Sequence, residues 1–184
     1  GSVTPRRLKK HLSDLGAELP VIAKVEQYQS LVNLDEIIQA SDGISIARGD
    51  LAVVRPIEEL GLLTKGIIRR CNRAGKFVMV GSGILASLSS GTQPTRAEVN
   101  DVTSLVLDGV DAISFSEETA VGLHPTAAVA TLARIIETVE AAVEPGNSGP
   151  FLPEIARLPG SPESGLAWTK PGEGVILFAE SIEE

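Results

Sequence analysis

The stretch Val21-Ile22-Ala23-Lys24-Val25-Glu26 is the part of the chain from which the fold is best interpreted. Its first three residues form a short apolar run, which predicts a buried strand. Lys24 and Glu26 follow two residues apart, so a strand places both side chains on one face at its carboxyl end. The stretch therefore predicts a strand that presents charged groups where it ends.

Three more apolar runs predict strands, and polar residues follow each of them directly. The runs are Gly43–Ala47, Lys76–Val80 and Val110–Phe115, and the polar segments after them are Arg48-Gly49-Asp50, Gly81-Ser82-Gly83 and Ser116–Thr119. Polar groups at the carboxyl ends of successive parallel strands are typical of the active-site face of a β/α protein.

Amphipathic patterns predict a helix before the first strand and one after each strand. The expected starting signals are Thr4, Ser30, Pro56, Thr95 and Pro125. Thr95 and Glu98 have the spacing of a capping box, and Val129 is expected on the inner face of the last helix, which runs to about Val143. Such alternation of strands and helices predicts a parallel sheet with right-handed crossovers.

The composition is that of an ordinary globular protein, with 184 residues, 43% hydrophobic and 22% charged. Only 3% of the residues are aromatic, so the core must be aliphatic, which suits a parallel sheet covered by helices. The formal net charge of -8 argues against nucleic acid or an anionic membrane as the main partner. Cys71 is the only cysteine and is expected to be a small core residue.

The composition changes after Glu144, and this predicts the domain organisation. Residues 145–165 are rich in proline and glycine and are expected to be a linker. Residues 166–184 are expected to hold one short strand, Val175–Ala179, and an acidic tail. Residues 1–144 are then the single α/β segment of this chain.

Several motifs together resemble the pyruvate kinase family, in that family's order and spacing. They are Ile22–Glu26, Asp42–Leu51, Cys71–Lys76, Pro94–Val99, Leu107–Ala112 and Glu118–Ala120. The resemblance runs from about Thr4 to Glu144. It implies the second half of a catalytic (β/α)8 barrel, strands five to eight, with residues 166–184 a remnant of the family's C-terminal domain.

The resemblance also implies a reaction and roles for particular residues. Pyruvate kinases transfer a phosphoryl group between phosphoenolpyruvate and ADP, giving pyruvate and ATP. Glu26 and Asp50 match the family's ligands of Mg²⁺ (or Mn²⁺), and Lys24 matches the lysine that neutralises the transferring group. The backbone of Gly49 and Asp50 matches the amides that hold the substrate carboxylate, and Ser82 falls where the family has a threonine beside the substrate.

This sequence departs from the family pattern around two of those sites. Gly81-Ser82-Gly83-Ile84 replaces Ala-Thr-Gln-Met, and Ala52 and Val54 replace a glycine and an acidic residue. No segment of these 184 residues matches the first four barrel strands, which carry the family's ligands of K⁺. We therefore expect the isolated chain to be inactive, and to self-associate or to bind a partner chain that completes a barrel.

Other interpretations stay open at this point. The chain is either a piece of an enzyme or a non-catalytic half-barrel that serves as an interaction module; a Mg²⁺-dependent lyase of another phosphoenolpyruvate/pyruvate barrel family is a weaker alternative. Lys24 and Glu26 could be a plain surface ion pair, and Ser82 only part of a tight turn. No signal peptide or transmembrane run is found in this sequence, so a cytoplasmic location is expected, and a plastid stroma would fit equally well.

Overall fold

A computed structural model of the chain describes residues 3–143. Strands and helices alternate in it along the sequence. The strands are β1 (Ile22–Val25), β2 (Gly43–Ala47), β3 (Phe77–Gly81) and β4 (Ala112–Ser114). The helices are α1 (Val3–Asp14), α2 (Tyr28–Val32), α3 (Leu34–Ala40), α4 (Arg48–Val54), α5 (Ile57–Arg73), α6 (Arg96–Leu107), α7 (Glu117–Ala120) and α8 (Pro125–Val143), and a 3₁₀ turn covers Ala86–Ser89.

The four strands form one parallel sheet in the order β1-β2-β3-β4. Each strand therefore lies beside the next one in sequence, and β1 and β4 are the edges of the sheet among the residues described. The predicted α/β class is confirmed, with consecutive parallel βα units equivalent to half of a (β/α)8 barrel. The sheet is open, because four strands are too few to close a barrel.

One face of the sheet forms the hydrophobic core. Val25, Ile46 and Val80 are completely buried there, in one cluster with Ile68 of α5 and Val102 of α6. The alternating side chains point to the opposite face, where Ile22 is 40% exposed and Lys24 is also exposed. A strand places successive side chains on opposite faces, so only one side of this sheet is fully covered by the described residues.

Among the strands, β3 and β4 differ from the predicted bounds, and Ile22, expected in a buried strand, is 40% exposed. Most of the predicted helix ends are confirmed, but three predictions about the helices were wrong. Ser30 lies inside α2, whose N-cap is Gln27, and Asn33 separates α2 from α3. The side chain of Asn33 donates to the carbonyl of Gln29 at 2.9 Å, so it competes with a continuing helix. Thr4 does not cap α1, because that helix already begins at Val3.

The third wrong prediction concerns the face of α8 that packs inward. Val129 is 47% exposed, whereas Ala128 is completely buried. The helix packs against α6 and α7, and a small alanine allows closer approach of two helices than a branched valine. The valine is therefore on the solvent side, and Leu132 remains buried as predicted.

Two aspartates tie neighbouring strands together at the amino end of the sheet. The Asp42 carboxylate accepts a hydrogen bond from the Val21 backbone N–H at 2.8 Å. The Asp111 carboxylate accepts one from the Val78 N–H, also at 2.8 Å. In each case the aspartate's own N–H donates to the carbonyl of the same partner residue. The side chain therefore adds one more hydrogen bond between the two neighbouring strands, next to the backbone pairing.

The predicted linker, the strand Val175–Ala179 and the acidic tail lie outside the described residues. Within the described residues, no helix is long and apolar enough to cross a membrane.

Candidate active-site residues at the carboxyl end of the sheet

Three charged side chains meet where β1 and β2 end. The Lys24 ammonium lies 2.8 Å from a carboxylate oxygen of Glu26 and 3.4 Å from one of Asp50. Lys24 is in β1, Glu26 follows it directly, and Asp50 is in the first turn of α4. Because β1 and β2 are adjacent and parallel, their carboxyl ends bring together residues that are far apart in sequence.

The charges of this cluster are coupled but accessible to solvent. The hydrogen bond to Glu26 raises the pKa of Lys24, burial opposes the rise, and the negative charges of Glu26 and Asp50 add to it. The side chains of Lys24, Glu26 and Asp50 are 53%, 35% and 54% exposed. An incoming ligand can therefore reach all three groups without any rearrangement of the core.

The donor set of this cluster fits a divalent cation. Glu26 and Asp50 both lie within reach of one cationic group, the Lys24 ammonium, so a single ion can also lie between them. Carboxylate oxygens are the ligands that Mg²⁺ and Mn²⁺ prefer. No cluster of three or more metal-binding side chains occurs among residues 3–143, so water or substrate oxygens would have to supply the other ligands of an ion held there.

Ser82 lies in a loop of unusual backbone conformation beside the start of α4. Its φ of 71° is in the left-handed region, as is the φ of 54° at Leu85. A side-chain carbon built on Gly49 would lie 3.3 Å from the Ser82 Cβ and 3.6 Å from its Oγ. The absence of a side chain at Gly49 therefore lets the Ser82 side chain lie close to the turn that carries Asp50.

Arg48 is a residue at this end of the sheet that the sequence did not identify. Its guanidinium makes a two-pronged ion pair with Asp101, with both N–O distances 2.8 Å. It also donates to the backbone carbonyls of Ser82 and Gly83. Asp101 is 53 residues away, so no local spacing signals the pair.

Glu98 forms the predicted capping box and one contact beyond it. Thr95 and Glu98 exchange the reciprocal hydrogen bonds of the box. The Glu98 carboxylate also accepts hydrogen bonds from the Ser87 N–H at 2.7 Å and the Ser87 hydroxyl at 2.6 Å. Desolvation tends to raise the pKa of Glu98, but the bonds from Ser87 and Thr95 outweigh it and lower the pKa to about 2.

Glu118 follows β4 but is not part of the open cluster. Its side chain is buried, and its carboxylate accepts a hydrogen bond from the Ser116 N–H at 2.9 Å. Glu118 therefore adds no accessible charge to the cluster of Lys24, Glu26 and Asp50.

The parallel βα units, with polar and charged groups at the strands' carboxyl ends, place the chain in the α/β class and match part of a β/α barrel. The family model for the pyruvate kinase barrel domain matches residues 6–129. The chain is 45% identical over 129 residues to a pyruvate kinase of Sporosarcina psychrophila and 45% identical over 134 residues to one of Thermococcus litoralis. It is 47% identical over 120 residues to a pyruvate kinase of Trypanoplasma borreli.

The chain belongs to the pyruvate kinase family. The three alignments cover 70%, 73% and 65% of this chain. They cover 22%, 28% and 24% of the relatives, respectively. The chain therefore spans about a quarter of the length of the pyruvate kinases that it matches.

Proposed function

We propose that this chain carries the metal and phosphoryl side of a pyruvate kinase active site. The reaction is the Mg²⁺-dependent (or Mn²⁺-dependent) transfer of a phosphoryl group between phosphoenolpyruvate and ADP, giving pyruvate and ATP. The observation that carries the proposal is the cluster of Lys24, Glu26 and Asp50 at neighbouring strand ends. Family membership adds support, since these residues match the family's motifs.

Lys24 is the group that acts on the transferring phosphoryl. Its pKa is raised by Glu26 and Asp50, so the side chain stays an ammonium at neutral pH. A fixed positive charge next to the reacting oxygens stabilises the negative charge that develops during the transfer. Its neighbours hold Lys24 in place, because the Glu26 carboxylate lies only 2.8 Å from the ammonium.

Glu26 and Asp50 are the residues that would hold the divalent metal. When bound, the ion supplies charge neutralisation to the carboxylate and enolate oxygens of the substrate. The Gly49 and Asp50 backbone N–H groups are proposed to bind the substrate carboxylate, and the Ser82 hydroxyl to lie beside it. By resemblance the family also uses K⁺, but its ligands have no match in this sequence.

Calorimetric titration with Mn²⁺ tests the metal proposal directly. Two carboxylates and water should bind weakly, with a dissociation constant on the order of millimolar. Glu26→Ala and Asp50→Ala should each lose the binding heat. Asp14→Ala removes an exposed carboxylate that pairs with Lys10 on α1 and should leave the heat unchanged. Equal heats in all four proteins would contradict the assignment of Glu26 and Asp50.

We further propose that the isolated chain does not turn over substrate. Removing one group that stabilises transition-state charge raises a barrier by about 3–4 kcal/mol, and several such groups of the family have no match here. A coupled assay with phosphoenolpyruvate, ADP, Mg²⁺ and K⁺ should therefore show no rate above background. Turnover in the ordinary kinase range of about 1–100 per second would refute the statement.

A non-catalytic half-barrel module is the second candidate, and the open sheet favours it. Ile22 and Met79 lie on the less covered face, and β1 and β4 have unpaired edges among the described strands. A second copy related by a two-fold axis could pair edge to edge and complete eight strands. We propose self-association of this kind for the isolated chain.

Analytical ultracentrifugation tests self-association. A dimer at micromolar concentration is expected, with weakened association when Ile22 is changed to Asp. A monomer that binds no second copy would overturn it, and tight binding of a different chain would assign the face to a partner. The single cysteine, Cys71, is buried, which fits a reducing compartment such as the cytoplasm or a plastid stroma. The net charge of -8 argues against nucleic acid as a ligand and does not exclude phosphorylated small molecules.

A further inference from the structure

We propose that Arg48 is a positioning residue, which holds the loop after β3 against the start of α4. The part of this inference that concerns a ligand rests on the proposed function. The Arg48 side chain is only 13% exposed, and its guanidinium is engaged on two sides. One side carries the ion pair with Asp101 of α6, and the other faces the loop.

The contacts with the loop are to backbone atoms. The Arg48 Nε and Nη2 groups both donate to the Ser82 carbonyl at 3.3 Å, and Nη2 also donates to the Gly83 carbonyl at 3.3 Å. A planar guanidinium has donors at fixed angles, so it can serve a carboxylate and two carbonyls at the same time. A lysine ammonium in the same place lacks that fork.

The loop is one that needs such support. Ser82 and Leu85 both have positive φ values, 71° and 54°. Residues with a side chain rarely adopt this conformation, and it persists only where the surroundings determine it. The contacts of Arg48 fall on Ser82 and the next residue, so they act at the strained position itself.

Because Ser82 lies close to Gly49, the hold of Arg48 on the loop also affects the proposed substrate site. Gly49 follows Arg48 directly, and the Ser82 side chain lies so near that a side-chain carbon at position 49 would be crowded. Arg48 thus sets the distance between the Ser82 hydroxyl and the turn that carries Asp50. Without the guanidinium, the loop can relax from its left-handed conformation and move the hydroxyl away from the proposed substrate site.

The competing explanation is that Arg48 only stabilises the fold through its ion pair with Asp101. A variant in which the two charges are exchanged, the charge swap, distinguishes this explanation from a positioning role. The double variant Arg48→Asp with Asp101→Arg restores an ion pair between the start of α4 and α6. An aspartate at position 48 cannot donate to the carbonyls of Ser82 and Gly83. The swap should therefore recover the denaturation midpoint but not the order of the loop.

The first readout is the order of the loop in the 184-residue chain. Backbone NMR order parameters at Ser82 and Gly83 should be about 0.85 in the unmodified protein and below about 0.6 in Arg48→Lys and in the charge swap. Asp101→Asn, which retains Arg48, provides a second variant if Arg48→Lys does not fold, and it should give an intermediate value. Unchanged order parameters in Arg48→Lys and in the charge swap would overturn the proposal.

The second readout is binding of pyruvate at saturating Mn²⁺, measured by calorimetry. Arg48→Lys should weaken pyruvate about tenfold, as expected from the loss of one hydrogen bond, and leave the affinity for Mn²⁺ alone within about twofold. A looser loop with unchanged pyruvate affinity would overturn the positioning role. If the unmodified chain binds neither Mn²⁺ nor pyruvate, the proposed function fails, whereas the order parameters still decide the role of Arg48 in the loop.

Discussion

The two ends of the sheet use the same kind of side chain in opposite ways. At the amino end, the carboxylates of Asp42 and Asp111 accept backbone N–H groups from the neighbouring strand. At the carboxyl end, Glu26 and Asp50 face a lysine ammonium and solvent. A carboxylate that completes the backbone ladder has little capacity left for a ligand, whereas one that faces solvent keeps it.

The difference also has an energetic side. Removing an amino-end carboxylate leaves a backbone donor without its partner, and such a loss costs about 1–3 kcal/mol when the donor is buried. Exposed ion pairs contribute only about 0–1 kcal/mol, so the carboxyl-end charges can be changed with little effect on folding. Variants at the two ends should therefore separate stability from binding, and the following predictions test that separation.

The largest effect on stability is expected at Glu98. This carboxylate lies at the carboxyl end of the sheet, yet it accepts hydrogen bonds that stabilise the fold, as Asp42 and Asp111 do at the amino end. Glu98→Gln should lower the free energy of unfolding by about 2 kcal/mol near neutral pH, because charged acceptors make the stronger hydrogen bonds. The folded-state pKa of Glu98 is lowered from 4.5 to about 2. Its contribution is therefore present above pH 4.5 and lost as the pH falls towards 2.

Chemical denaturation of Glu98→Gln across this pH range is the measurement. The stability difference from the unmodified protein should shrink below pH 4.5 and nearly vanish at pH 2. Ser87→Ala serves as the control and should cost less, because it keeps the Glu98 charge and the bond from the Ser87 N–H. It removes only the hydroxyl, which contacts Glu98 and the Gln93 carbonyl. A difference that does not change with pH would show that the charge of Glu98 is unimportant.

A smaller effect is expected at Asp111, where the acceptor and the charge have separate consequences. Asp111→Ala should destabilise the fold by about 1–2 kcal/mol, because the Val78 N–H loses its acceptor. Asp111→Asn keeps an oxygen acceptor and should be close to neutral. Thermal unfolding of the two variants at pH 7 gives the comparison, and equal losses would mean that the charge, not the hydrogen bond, matters.

The pKa of Asp111 gives this pair of variants a pH dependence. Burial raises the pKa above 3.8, and the hydrogen bond from Val78 opposes the rise. The folded state therefore keeps the proton of Asp111 to a higher pH than the unfolded chain does. The resulting stability is present below pH 3.8 and is lost as the pH rises through the raised pKa. Asp111→Asn should therefore gain stability relative to the unmodified protein as the pH rises from 3 to 7.

Asp42 should show the opposite pH dependence. At neutral pH, Asp42→Asn should lower the free energy of unfolding by about 1 kcal/mol. Desolvation acts to raise its pKa, but Lys9, whose ammonium lies 2.6 Å away, and the Val21 N–H outweigh it and lower the pKa below 3.8. The contribution of Asp42 is therefore present above pH 3.8 and lost as the pH falls through the folded pKa. Urea denaturation at pH 3 and pH 7 measures how the stability difference between Asp42→Asn and the unmodified protein depends on pH. A difference that is larger at pH 3 than at pH 7 would contradict the prediction.

The smallest effect on folding is expected at Lys24, where the consequence is for binding. Lys24→Met should change the free energy of unfolding by less than about 0.5 kcal/mol, since the ion pair is exposed. It should tighten Mn²⁺ binding about fivefold, because the ammonium no longer competes for the two carboxylates. Lys10→Met removes a similar ammonium from α1 and should change neither quantity. Weaker Mn²⁺ binding in Lys24→Met would mean that the lysine supports the metal instead of competing with it.

Much of the fold was predictable because it depends on local patterns. Alternating apolar residues predicted β2 without error, and the spacing of Thr95 and Glu98 predicted a capping box that the structure contains. Both features involve residues within a few positions of each other, where backbone geometry alone sets which side chains meet. The same reasoning predicted that Lys24 and Glu26 share one face of a strand.

Other features depended on how the elements pack. Val129 has the right helical spacing for the core, yet Ala128 is buried in its place, because close contact between helices selects the smaller side chain. Asp50 is 24 residues from Glu26 and reaches the same ammonium only through the pairing of β1 with β2.

The sequence by itself therefore determined the βα order, the bounds of β2 and the candidate charged residues, since each follows from periodicity and short spacing. Only the tertiary structure decided that Arg48 joins Asp101 to the loop of Ser82, and that this serine adopts a left-handed backbone. Contacts between residues distant in sequence arise when parallel strands and their helices pack, and no local pattern contains that information.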